Sequence, residues 1–80
     1  MKDNEFLKEF GLRLKLSRLK QQITQAQLGE MVDISEHRIS QIENGKCNIT
    51  LKTVNRLASA LNVPSAIFFN FDEIFQTYNS

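Results

Sequence analysis

The 80-residue chain has one cysteine, one proline, three glycines and no tryptophan. A single cysteine excludes an internal disulfide framework, and no apolar run is long enough for a signal peptide or a membrane span. The expected setting is therefore reducing and cytosolic, with no membrane partner. The glycines do not gather into a phosphate-cradling loop, and no paired-carboxylate pocket or nucleophile beside a base can be read in so small a chain, so an enzyme is the weakest functional class. Ser17, Ser35 and Ser40 read as a core position, a helix cap and a helix-surface residue. His37 is the only histidine, without a Cys or His at ligand spacing, so no metal, no other cofactor and no small-molecule ligand is expected. Cys47 has no resolving thiol and reads as an inert loop residue.

A charge excess of one sign is also missing. Ten basic residues face nine acidic ones, so no global field announces a nucleic-acid partner. The distribution says more. Between Phe10 and Arg56 lie eight basic residues (Arg13, Lys15, Arg18, Lys20, Arg38, Lys46, Lys52, Arg56) and four acidic ones (Glu30, Asp33, Glu36, Glu43), and the two ends carry the compensating negative charge.

What is present is helical periodicity over one small domain, residues 1–80, with a modest core and a thin stability margin that a partner copy would widen. Asp3 or Asn4 can cap a first helix to about Gln21, with Phe6, Phe10, Leu14 and Ser17 on one face; Gly11 lowers its propensity slightly. Leu12, Leu16 and Leu19 form a second apolar stripe nearly opposite, so this helix needs two packing partners. Thr24 caps a short helix carrying Ala26, Leu28, Met31 and Val32. Asp33-Ile34 interrupts it, Ser35 caps the next, and Ile39 and Ile42 form its apolar edge before Asn44-Gly45 stops it. Two helices this short, joined this tightly, must dock steeply on a common core. Glu36, His37, Arg38, Ser40, Gln41 and Asn44 then point away from it, and these side chains can hydrogen-bond base edges. After the 45–48 loop, Thr50 caps a helix to about Leu61 with Leu51, Val54, Leu57, Ala58 and Leu61 inward. Pro64-Ser65 can begin a fifth short helix. Residues 67–78 hold four of the six phenylalanines and the only tyrosine. That is too much apolar surface for a free tail, and it either packs on the Leu12/Leu16/Leu19 stripe or meets its copy in a homodimer through Ile67, Phe68, Phe69, Phe71, Ile74 and Phe75.

The run Thr24-Gln25-x-x-Leu28-Gly29-x-x-Val32-x-Ile34-Ser35-x-x-x-Ile39-Ser40-x-Ile42-Glu43-Asn44-Gly45 resembles the helix-turn-helix family of phage repressors and Cro proteins, the XRE family. Leu14-Lys15-x-x-Arg18 upstream is similar to that family's first helix, and Thr50-Leu51-x-x-Val54-x-x-Leu57-Ala58-x-Ala60-Leu61-x-Val63 downstream to its fourth. The likeness covers about 60 of the 80 residues. It implies an all-α, five-helix lambda-repressor-like domain with the helix-turn-helix over about residues 24–45 and the aromatic segment over about 65–78. Gln22 stands where the family often has glycine, so the first connection is expected to differ.

The resemblance also implies roles. Arg18 and Glu43 would form a partly buried ion pair. Gln25, Asn44 and Lys46 match phosphate-contacting positions, and Lys52 is added from its place near the fourth helix. Glu36, His37 and Gln41 match groove-facing positions, with Arg38 beside them. Gln favours adenine, Arg guanine, and Glu accepts from cytosine, while plain surface or helix-terminus roles stand as the alternative for Glu36, His37, Lys46 and Lys52. The function implied is a sequence-specific transcriptional regulator binding double-stranded DNA as a homodimer at a pseudo-palindromic operator with half-sites about one helical turn apart. No sensor domain is read in the chain, so regulation is expected from concentration, operator layout or contact with RNA polymerase. A phage-type repressor and a restriction–modification controller both fit, the controllers loosely through the Phe-rich end. The alternative is an antitoxin-type protein-interaction module that also binds its own promoter.

Overall fold

The structure, a computed structural model, describes residues 2–69. Its elements are α1 (Asp3–Lys20), α2 (Gln25–Val32), α3 (Glu36–Glu43), α4 (Leu51–Leu61) and a 3₁₀ segment (Ser65–Phe69). The fifth helix expected after Pro64 is thus a single tight turn, and Phe71, Ile74 and Phe75, assigned to a dimer interface from the sequence, lie outside the described residues.

Three N-caps follow directly from residue type. Thr24, Ser35 and Thr50 accept from the backbone N–H groups of Gln27, Arg38 and Thr53. α1 differs: its N-cap is Lys2, with no side-chain cap, and Asp3 lies in the first turn, where its charge favours the helix dipole. All four helices end in a residue with positive φ, namely Gln22 (59°), Asp33 (58°), Gly45 (69°) and Asn62 (55°). In each, the next N–H returns to a carbonyl five residues back: Ile23 to Arg18, Ile34 to Gly29, Lys46 to Gln41 and Val63 to Ala58. This paired-cap geometry satisfies carbonyls that a helix end would otherwise leave bare. Gln22 therefore takes the left-handed conformation itself, at a steric cost that glycine would avoid.

One core joins the elements. Phe10 and Leu14 of α1 meet Leu28 and Val32 of α2, Ile39 and Ile42 of α3, and Val54, Leu57 and Leu61 of α4. Phe68 closes it, fully buried, with its ring edge-on to Phe10 at 5.4 Å between centroids. That burial corrects the placement of Phe68 at an interface between copies, because its surface is already consumed within its own chain. Phe69 lies 5.3 Å from Phe10 and 6.0 Å from Phe6 between ring centroids, so the 3₁₀ segment packs on the Phe6/Phe10 face of α1. It does not reach the Leu12/Leu16/Leu19 stripe, whose members are 47%, 56% and 49% exposed. Two further expectations are corrected. Leu51, placed inward by spacing, is 82% exposed at the first position of α4, and Met31, counted among the apolar positions of α2, is exposed where Leu28, Gly29 and Val32 are buried.

Glycine decides how closely the elements approach. A Cβ on Gly11 would overlap the backbone carbonyl oxygens of Ile42 and Glu43, so α1 crosses the end of α3 in backbone contact. A Cβ on Gly29 would overlap the Ile34 carbonyl oxygen, inside the tight turn between α2 and α3. The sequence pattern marks Gly11 only as a weak point of a helix; the reason for it is tertiary.

Candidate nucleic-acid interface

The Ser35 hydroxyl accepts from the Arg38 N–H at 3.1 Å and starts α3 three residues after α2 ends. Ile39 and Ile42 on one side of α3 are buried, which turns the opposite side to solvent. Glu36, His37 and Arg38 are exposed in its first turn, with Ser40 and Gln41 half-buried beyond them. Arg38 leans off this face: its Nη2 donates to the Asn48 carbonyl of the α3–α4 loop at 3.5 Å. The structure therefore groups Glu36, His37 and Gln41, and aims Arg38 toward the loop that carries Lys46.

The start of α2 meets the last residue of α3. Thr24 Oγ1 accepts from the Gln27 N–H at 3.0 Å while Gln27 Oε1 accepts from the Thr24 N–H at 2.8 Å. The sequence reading has Thr24 alone as the cap; the Thr24-x-x-Gln27 spacing is the signal it missed for this reciprocal box, which satisfies two N–H groups at the helix end. Gln25, next to the cap, is half-buried, and its Nε2 donates to Glu43 Oε1 at 3.0 Å. At the end of α3, Asn44 is exposed and its Nδ2 donates to the Ser40 carbonyl at 2.9 Å. Lys46 and Lys52 are exposed, and among the described residues neither forms an ion pair. Of the phosphate candidates, Gln25 and Asn44 are thus held by neighbours.

Beneath these residues lies a buried charge pair. Arg18 Nε donates to Glu43 Oε2 at 2.7 Å and Arg18 Nη2 to Glu43 Oε1 at 2.9 Å. The third branch, Nη1, donates to the Ile23 carbonyl at 2.7 Å. The two side chains are 7% and 1% exposed, so the fork-to-carboxylate geometry is needed to offset their desolvation. The hydrogen bond to Glu43 raises the Arg18 pKa above the ordinary guanidinium value, against the opposing effect of burial.

Other basic residues are engaged as well. Arg56 Nη2 donates to the Val32 carbonyl at the end of α2, and Arg13 pairs with Glu9 at 3.4 Å. Charge counting along the chain could not separate these partnered cations from the others. Among the described residues no group of His, Cys, Asp and Glu is arranged to hold a metal ion, and no helix is long and apolar enough to cross a membrane.

Two short helices set on a tight left-handed turn, with a polar outer face on the second, define a helix-turn-helix domain of the DNA-binding class. The chain belongs to the helix-turn-helix family HTH_3, of XRE type, whose pattern matches residues 14–68. Among solved structures it is similar to the restriction–modification controller protein C.AhdI from Aeromonas hydrophila, with 27% identity, a TM-score of 0.77, and coverage of 79% of this chain and 96% of that one. It is also similar to an HTH_3 family transcriptional regulator from Vibrio cholerae, with 25% identity, a TM-score of 0.79, and coverage of 85% of this chain but 38% of that one. The clp gene regulator ClgR of C. glutamicum, at 20% identity and a TM-score of 0.77 over 80% of this chain and 83% of that one, shares the fold. No curated protein sequence matches significantly.

Proposed function

We propose that this DNA-binding transcriptional regulator acts as a homodimer on a pseudo-palindromic operator, each copy reading one half-site with α3. The observation that carries the reading is the outward side of α3, where Glu36 and His37 stand exposed in the first turn and Gln41 lies one turn further on. In a helix-turn-helix the N-terminal part of the second helix enters the major groove, and Gln can contact adenine through both its amide groups. Gln25, Asn44, Lys46 and Lys52 would hold the backbone on either side, and phosphate contacts of this kind supply affinity while base contacts supply choice. Ile67, 44% exposed beside the core, is a described candidate for the contact between copies. The similarity to C.AhdI, a controller protein of a restriction–modification system, favours the same kind of role here.

The test is selection of bound sites from random duplex DNA at two salt concentrations, with wild type and Gln41→Ala. The expected result is a palindromic motif whose half-site loses information in the variant. Sequence-blind, salt-sensitive binding alone would overturn the reading.

A further inference from the structure

We infer that Glu43 is a positioning residue for the DNA backbone contact of Gln25, so that the buried ion pair forms part of the DNA interface. This rests on the function proposed above. Glu43 is buried at the last position of α3 and its carboxylate takes three donors: Arg18 Nε on Oε2, and Arg18 Nη2 and Gln25 Nε2 together on Oε1. The two-pronged fork occupies one lone pair on each carboxylate oxygen and leaves room for a further donor. The third donor comes from the first residue of α2, next to the Thr24 cap.

The chemistry fixes which atoms of Gln25 remain. An ionised carboxylate can only accept, so it sets the amide with its nitrogen inward. One N–H is used, and the second, about 120° away on the same planar nitrogen, is left for another acceptor. A phosphate oxygen is such an acceptor. The amide then bridges two anions, one fixed in the protein and one on the duplex. Arg18 makes this tolerable, because its guanidinium neutralises Glu43 from within and leaves no net charge to repel the DNA. The same guanidinium holds the Ile23 carbonyl, one residue ahead of the Thr24 cap, so it also positions the chain entering α2. Without Glu43, Gln25 is a flexible side chain that must be ordered at the moment of binding, and affinity falls by that ordering cost.

The experiment uses the full chain and a fluorescently labelled mixed-sequence duplex, because a phosphate contact needs no operator. Anisotropy titrations at low salt compare wild type, Gln25→Ala, the apolar replacement Arg18→Met/Glu43→Leu, and the triple variant, each checked for folding by circular dichroism. The expected result is a loss of about tenfold for Gln25→Ala, a similar loss for the apolar replacement, and no further loss in the triple variant. Losses that multiply, or an unweakened Gln25→Ala, overturn the inference while leaving the regulator reading intact. A wild type that binds no duplex overturns both.

Should the apolar replacement not fold, the side-chain amide protons of Gln25 in the wild type decide. One proton of the pair is expected to exchange slowly and keep its shift on addition of duplex, while its partner moves. Equal exchange of the two in the free protein, or both moving together, overturns the inference.

Discussion

Arg18 and Glu43, 25 residues apart in the chain, are joined by two parallel hydrogen bonds of 2.7 and 2.9 Å that tie the end of α1 to the end of α3. Removing one partner strands the other charge in a site that water barely reaches. Glu43→Ala should cost about 3–5 kcal/mol, read by urea unfolding, whereas Arg18→Met/Glu43→Leu should recover most of that loss. The raised Arg18 pKa gives a sign to the pH dependence. The contribution is fully present below the ordinary guanidinium value and is lost only as pH climbs past the raised, folded one. Arg18 itself should therefore add no slope to stability between neutral pH and mild alkali.

Gly11 sets a second test, in which two effects oppose each other. Alanine raises helix propensity by about 1 kcal/mol, but its Cβ would fall on the carbonyl oxygens of Ile42 and Glu43. Backbone atoms cannot swing aside as a flexible side chain can, so α1 and α3 must part, at about 1–3 kcal/mol or more. Thermal unfolding of Gly11→Ala should show a net loss; a gain would mean that the crossing is looser than described.

Gln22 offers the opposite sign. Its φ of 59° is left-handed, and glycine adopts that conformation without a Cβ penalty. Gln22→Gly should raise stability by about 0.5–1 kcal/mol, visible as a Tm increase of a few degrees. An unchanged or lower Tm would show that the Gln22 side chain compensates for the strain.

Lys46 and Gln41 should separate in DNA binding. Lys46→Ala is expected to weaken binding to all sequences alike and to lower the slope of log affinity against log salt by about 1, while Gln41→Ala leaves the slope and relaxes one half-site position. Titrations over a salt series with the selected operator and a scrambled one check both.

Neighbours in the 3₁₀ segment should behave differently again. Phe68 is fully buried, and Phe68→Ala should cost about 3–5 kcal/mol of folding stability. Ile67 is exposed, and Ile67→Asp should leave the fold intact while lowering the mass seen by light scattering. A destabilised Ile67→Asp, or an unchanged mass, would remove Ile67 from the contact between copies.

The local chemistry of the chain was legible from its residues. Thr24, Ser35 and Thr50 are caps because their hydroxyls reach the N–H three residues on, wherever the helix later docks. The spacing of Leu28, Val32, Ile39, Ile42, Val54, Leu57 and Leu61 encodes a buried face, since helical pitch alone puts those positions together. The polar side of α3 follows by exclusion.

Four helices, the starts of α2, α3 and α4, most of their apolar positions and the candidate reading face follow from local sequence, because each depends on neighbours within a few residues. Tertiary structure alone decided the rest. It buried Phe68 and left Ile67 outside, exposed Leu51 although its spacing matched the core, and made Gly11 a contact point. It also drew Arg18, Glu43 and Gln25 into one cluster across three helices. Those outcomes depend on where the helices cross, and a crossing is set by the packing of all the side chains at once rather than by any local stretch.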